Sequence, residues 1–425
     1  MPEPSSSEAV ARTLDAVWRI EGARIIAGVA RIVRDIGKAE EIAGDALVAA
    51  LEQWPGQGIP ANGGAWLMAT AKNQAIDLVR REVNYADKVA ELAYLAPSSI
   101  SDADDIEQVD SDVDGEVSDD LLRLIFTACH PLLPAEARVA LTLKLLGGLS
   151  TEEIARAFLV QESTIAQRIV RAKRKLAHAH VGFEIPGAAD LPGRLQSVLE
   201  VIYLIFNEGY SATAGDTWAR PPLCFEALRL GRILAELQPT QPEVHGLAAL
   251  MELQSSRLRA RVGSTGEPVP LLDQNRATWD RLLIGRGLTA IARAEELGEQ
   301  PGFYLLQALI AACHARAIDP DDTDWPQIAR LYESLSKAQP SPIIELNRVV
   351  AIAMAFGPEP AMDVCEQLLT EPALRSYHLL PAVHADLLEK LGRTKDARAE
   401  FGRAASMTRN GAERQLLLDR ANSIS

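Results

Sequence analysis

Residues 150–176, STEEIARAFLVQESTIAQRIVRAKRKL, leave the chain little freedom of local fold. Ser150 and Glu153 have the spacing of a capping box, in which the hydroxyl takes an orphan N–H and the carboxylate reaches back. Ile154, Ala155 and Phe158 then make a short apolar face, and Val160 plugs the turn that follows. Ser163 is placed to cap a second helix. Within it Ile165, Ile169, Ala172 and Leu176 recur at +4, +7 and +11, which puts them on one buried face. The pattern is that of a helix-turn-helix. Thr164, Gln167, Arg168, Arg171, Arg174 and Lys175 are left mostly outward. Arg168–Lys175 holds five positive charges and no acid. Gln pairs well with adenine and Arg with guanine in a major groove, and both Lys and Arg neutralise phosphates. The competing interpretation is a basic, solvated helix on an ordinary bundle.

Net charge is −15 over 425 residues, which by itself argues against a nucleic-acid partner. Its distribution reverses that impression. Residues 102–120 carry ten acids and no base, whereas 121–180 carry a net +5. At 48% apolar the chain can bury real cores, and at 5% aromatic, with Ala and Leu abundant, it favours helices over β-sandwiches and barrels. The fold expected is therefore all-α. Met1–Val10 has neither a basic region nor an apolar run of the kind a secretory signal needs. The longest apolar runs, Val201–Phe206 and Val349–Phe356, fall well short of the ~18 residues of a membrane span. Cys129, Cys224, Cys313 and Cys365 lie far apart, so no disulfide framework or zinc knuckle is indicated and a cytoplasmic location fits best.

Four segments emerge. The first, 10–85, is helical: an opening helix whose pattern stops at Gly37, a second over Ala39–Trp54 closed by Pro55-Gly56, and a third over Ala65–Arg81. The second, 86–120, is an acidic linker unable to fold alone, and a solvated spacer is its simplest description. The third, 121–180, holds helices over Leu121–Cys129 and Ala135–Leu146 followed by the helix-turn-helix. The fourth, 186–425, is helical throughout. Near its end Gly392, Ala397, Phe401 and Ala404 have tetratricopeptide-like offsets, with Ala385 and Leu388 in the preceding helix. Gly357 lies 35 residues upstream of Gly392 and starts a weaker copy with Ala361, Cys365 and Leu368. A helical domain without true repeats is the alternative.

Three stretches resemble a known family: AEEIAGDALVAALEQW (Ala39–Trp54), GIPANGGAWLMATAKNQAIDLVRR (Gly58–Arg81) and STIAQRIVRAKRKL (Ser163–Leu176). They are similar to regions two and four of sigma-70 class sigma factors of the extracytoplasmic-function group. Leu195–Asp216, Leu223–Leu237, Gln307–Ala317 and Thr323–Leu335 resemble the helical-repeat extension of one subgroup. This sequence departs from the family at Asn62-Gly63-Gly64, where Asn-Pro is common, at Leu159, where Gly is common, and at Gln161, where the subgroup tends to show Pro. The resemblance implies an all-α chain of two small sigma domains plus a tetratricopeptide-like regulatory domain. It implies core RNA polymerase (the β′ clamp helices and the β flap) and promoter DNA as partners. Intramolecular contact between tail and sigma regions is a further expectation; no membrane, cofactor or metal is. Core binding would fall to Asp35, Glu40, Glu41 and Asp45. The melted minus-ten strand would meet Asn62, Lys72, Asn73, Arg80 and Arg81, with a base flipped into the loop Pro55–Asn62. The minus-thirty-five element would meet Ser163, Thr164, Gln167, Arg168, Arg171, Arg174 and Lys175. No catalytic chemistry is required of such a chain. A helix-turn-helix regulator with a sensing tail, for which region two would be superfluous, is the competing function, and a repeat scaffold without DNA binding is a more distant one.

Other residues invite chemistry less strongly. Neighbouring Cys129-His130 and Cys313-His314 point about 100° apart on a helix and make poor shared metal ligands. His178 and His180 end a basic helix. Trp66 suits a core better than base stacking. Glu208 and Tyr210 read better as part of a helix end, with Gly209 supplying the freedom to turn, than as acid catalysts.

Overall fold

Eighteen α-helices and five short 3₁₀ turns make up the described part of the computed structural model: residues 6–93, 113–211, 218–263, 267–298 and 300–424. Among these residues there is no strand, only an isolated bridge between Val262 and Pro268. The all-α expectation holds. The chain divides into two compact units, Met1–Val201 and Ile202–Ser425.

In the first unit, helix α1 (Ser6–Val33) packs on α2 (Ile36–Gln57), α3 (Gly63–Ala93) and α4 (Val113–Ala128). Ile25, Ile26, Val29 and Ala30 of α1, Ala39, Ala43 and Trp54 of α2, and Leu67, Ala71 and Ala75 of α3 are all buried. The small residues at these positions let the helix axes approach closely. The first break is three residues earlier than Gly37: Arg34 takes φ 53°, and Asp35 begins α2 by accepting from the N–H groups of Gly37 (2.7 Å) and Lys38 (3.0 Å). Gly37 thus lies in a first turn rather than at a stop. Pro55 lies inside the last turn of α2, and Gly58, at φ 88°, ends it.

The helices also enter the expected linker from both sides. Helix α3 runs to Ala93 and α4 begins at Val113, while the acidic residues Asp102–Asp112 lie outside the described residues. The end of the acidic run is not a solvated spacer. Asp120 is buried and holds Arg123 at 2.6 Å and Arg31 of α1 at 3.5 Å.

Helices α5 (Ala135–Leu145), α6 (Thr151–Phe158) and α7 (Glu162–His178) follow, with α7 resting on α5 and α6. Helix α8 (Leu191–Tyr210) contributes its first half to this unit: Leu195, Val198 and Leu199 are buried there. A polar tie secures it. Ser197 Oγ donates to the Cys129 carbonyl at 2.5 Å, and Arg138 of α5 donates to Ser197 (2.5 Å) and Glu200 (3.0 Å). The compact unit therefore extends to 201, past the boundary at 180–186 that composition suggests.

The second unit comprises α9 (Pro221–Leu237), α10 (Pro242–Ser255), α11 (Arg281–Glu296), α12 (Phe303–Arg316), α13 (Trp325–Ala338), α14 (Pro342–Phe356), α15 (Pro358–Leu368), α16 (Leu379–Lys390), α17 (Thr394–Met407) and α18 (Gly411–Ser423). Five of these helices begin with Pro in the first turn, where its missing N–H costs nothing. Packing is mostly between sequence neighbours: α10 with α11 and α12, α13 with α14, α14 with α15, α16 with α17, and α17 with α18. Gly357 (φ 97°) and Gly392 (φ 75°) make the turns between α14 and α15 and between α16 and α17. Ala361, Cys365, Ala385, Leu388, Ala397, Phe401 and Ala404 are buried in one cluster, as their offsets imply. Gly209 is a correction: α8 continues through it to Tyr210. What requires glycine there is crowding, since a Cβ would stand 2.6 Å from the Cys224 backbone nitrogen.

Candidate nucleic-acid interface

Helix α7 owes its orientation to the short helix before it. Ser150 Oγ accepts from Glu153 N (3.0 Å) and Glu153 accepts from Ser150 N (2.8 Å), the reciprocal box that the spacing implies. These bonds, and Arg19 of α1 at 3.0 Å, hold the Glu153 carboxyl below the usual carboxylate range. Helix α6 ends at Leu159, which adopts the left-handed φ of 52° normally left to glycine and stays more than half exposed. Val160 N then bonds back to the Ala155 carbonyl at 3.1 Å, closing the turn. Helix α7 starts two residues earlier than the Ser163 hydroxyl suggests. Gln161 occupies the cap position without a side-chain bond, so Ser163 is an exposed first-turn residue and not the cap.

Ile165, Ile169, Ala172 and Leu176 are buried, and the opposite face is open. Ser163, Gln167, Arg171, Arg174 and Lys175 are exposed, and Thr164 and Arg168 are half-buried. Arg168 meets Glu136 of α5 at 3.2 Å, while the Lys175 ammonium donates to the Leu132 carbonyl at 2.7 Å. The five positive charges do not act as one surface. Lys173 turns away from the open face to pair with Glu40 of α2, which also meets Lys144 of α5 at 3.6 Å.

The other candidate surface lies on α2 and α3. Asn62 Oδ1 accepts from Ala65 N (2.9 Å) and so fixes the entry to α3. Asn73, Arg80 and Arg81 are exposed along α3, and Lys72 is half-buried. Trp66 packs edge-to-face on the buried Trp54, ring centres 5.6 Å apart, and belongs to the bundle as its spacing suggests. A groove of about 500 Å³ runs between α2 and α3, lined among others by Glu41, Asp45, Asp77 and Arg81. The acidic set named for core binding is divided by the fold. Glu41 and Asp45 are exposed at this groove. Asp35 serves as a helix cap, and Glu40 is held by Lys144 and Lys173.

Residues with other roles complete the first unit. Cys129 Sγ sits 3.3 Å from Thr142 Oγ1, and burial pushes its thiol up to about 11. His130 Nδ1 accepts from Leu132 N at 3.1 Å, and burial followed by the Arg194 charge drives its ring down to about 4. Sequence reasoning passed over Arg138 and Arg194, which tie α8 to the unit. A charged residue inside the apolar run of α5 was the available signal for Arg138. Among the described residues no helix is long and apolar enough to cross a membrane, and no group of three or more metal-ligating side chains converges.

Comparisons with known proteins agree with this geometry. Residues 123–176, which include α5–α7 almost entirely, match the family model described as sigma-70, region 4. Residues 194–295 match a family of unknown function, DUF6596. The chain is 43% identical over 385 residues to an uncharacterised protein of Rhizobium meliloti (strain 1021), covering 90% of this chain and 89% of that one. No solved structure matches. This chain therefore belongs to the family of that Rhizobium meliloti protein and carries, over residues 123–176, a segment similar to region 4 of the sigma-70 factors.

Proposed function

We propose that this protein is the promoter-specificity subunit of a bacterial RNA polymerase, of the extracytoplasmic-function group, and that it works in the cytoplasm. The single observation that carries the reading is the open basic face of α7, Ser163 to Lys175, directly preceded by a capped short helix and a tight turn. In this reading Gln167 and Arg171 reach base edges of the minus-thirty-five element while Arg174 and Lys175 meet phosphates. Asn62, Lys72, Asn73, Arg80 and Arg81 receive the melted minus-ten strand, and the Gly/Pro loop before α3 receives a flipped base. Exposed Glu41 and Asp45 dock on the β′ clamp helices, and Glu40 and Asp35 support them from behind. The β flap takes the region-four side. Core polymerase performs the synthesis, so this chain contributes binding and no bond-making step.

Run-off transcription with core polymerase tests the function. The full chain is expected to start synthesis from its own promoter, and a chain that only blocks transcription would be a helix-turn-helix regulator instead. The acidic residues Asp102–Asp112 are read as a charge that keeps the basic faces off random DNA before polymerase is engaged.

The second unit is read as a tetratricopeptide-like domain that gates the sigma regions through intramolecular contact. Tethering gives such a contact a high effective concentration, so a weak surface suffices. Reporter transcription by residues 1–201 alone, beside the full chain at matched protein levels, is expected to fall. Equal output removes the gating role.

A further inference from the structure

Three arginines of the second unit have no part in that reading. Arg257 follows α10, Arg261 closes the 3₁₀ turn Leu258–Arg261, and Arg276 opens the 3₁₀ turn Arg276–Thr278. Arg261 lies with Cζ 3.6 Å from the Tyr210 ring centre and donates to the Tyr210 carbonyl at 2.9 Å. Arg257 stands 5.5 Å from the same ring. Its Nε and the Tyr210 hydroxyl both donate to Gln254 Oε1, at 3.0 and 2.7 Å. Arg276 donates to the His314 and Ala317 carbonyls (2.9 and 3.1 Å) and to Thr323 Oγ1 (3.0 Å). A bond from Asp280 N to the Ser256 carbonyl, 2.8 Å, pins the Arg276 segment next to Arg257.

The arrangement is short of negative charge. Among the described residues no carboxylate lies within ion-pair distance of any of the three guanidinium groups. Arg261 and Arg276 are more than nine-tenths buried, and the Nε of each lacks a hydrogen-bond partner. Burial, and after it the neighbouring Arg257 charge, depress Arg261 and Arg276, although Tyr210 partly offsets this at Arg261 and Asp319 and Asp322 do so at Arg276. His314 is driven down to about 3 by burial and then by Arg257 and Arg276, so it stays neutral and adds no charge. Buried cations without a paired anion are costly, so an anion brought to this cluster would gain from the charge it neutralises. Planar guanidinium groups suit carboxylate and phosphate oxygens in particular.

We propose that Arg257, backed by Arg261 and Arg276 and flanked by the Tyr210 ring, binds the oxyanion group of a small-molecule ligand. The half-buried position of Arg257 favours a small molecule over a folded partner. The open Nη groups of Arg257 make the first contact, and its stacking on Tyr210 with the bond to Gln254 fixes their direction. The site lies wholly in the second unit and does not rest on the transcription reading.

Calorimetric titration and thermal melting of the full chain, at constant ionic strength, test it. Sodium phosphate and sodium succinate are the two probes, and sodium chloride is the control. Saturable binding of one probe with a raised melting temperature is expected, and which probe binds tells a phosphate ligand from a carboxylate one. Arg257→Gln should weaken that binding at least about tenfold. It should also leave the unliganded melting temperature unchanged or higher, because it relieves the repulsion on Arg261 and Arg276. Arg257→Lys keeps the charge but not the fork and should fall between the two, which covers the case of a Gln variant that does not fold. Neither probe binding, stabilisation equal to that by chloride, or equal binding by the variants would overturn the site.

Discussion

Arg171→Ala is expected to lower affinity for a promoter carrying the minus-thirty-five element by about 5- to 150-fold, the range of a lost bidentate base contact at ~1–3 kcal/mol. Arg171 is exposed on the open side of α7. Arg168 shares its charge with Glu136, and Lys173 faces Glu40. The effect should therefore rank Arg171→Ala above Arg168→Ala, and Lys173→Ala should change DNA affinity little. Fluorescence anisotropy with labelled promoter fragments measures the ranking, and co-elution with core polymerase shows whether core binding survives. A base contact changes discrimination at one position of the element. A phosphate contact lowers affinity for all sequences and reduces the salt slope by about one. Unchanged affinity in both arginine variants would remove α7 as the promoter reader.

Trp54→Ala should be the most damaging single change in the first unit, at about 3–5 kcal/mol, the usual cost of emptying a large aromatic site. Trp54 is only 2% exposed. It meets Trp66 edge-on and lies so close to Gly63 that a Cβ there would stand 3.0 Å from the ring. Its removal loosens the join between the end of α2 and the start of α3, where Asn62 sets the loop. Urea unfolding followed by circular dichroism measures the loss. Trp66→Ala is expected to cost less, because Trp66 is only half-buried. Equal midpoints for Trp54→Ala and the unaltered chain would show that this aromatic pair does not organise the bundle.

The sequence by itself determined the helix-turn-helix and most of its exposed basic face. A capping box and a +4, +7, +11 repeat are local signals, and local hydrogen bonds and helix periodicity enforce them wherever the segment sits. The small-residue helices of 385–404 were legible for the same reason. Only tertiary structure decided what lies far apart in the chain. Lys173 was one of five equivalent charges until α2 placed Glu40 beside it. Asp120 read as the end of a solvated run until α1 and α4 enclosed it between Arg31 and Arg123. The end of the first unit moved to 201 because Arg138 and Ser197, 59 residues apart, hydrogen-bond across it. The convergence of Arg257, Arg261 and Arg276 likewise carries no periodic trace. Ion pairs, buried charges and helix-to-helix ties depend on which faces meet, and pattern along one helix fixes only which face is buried, not what covers it.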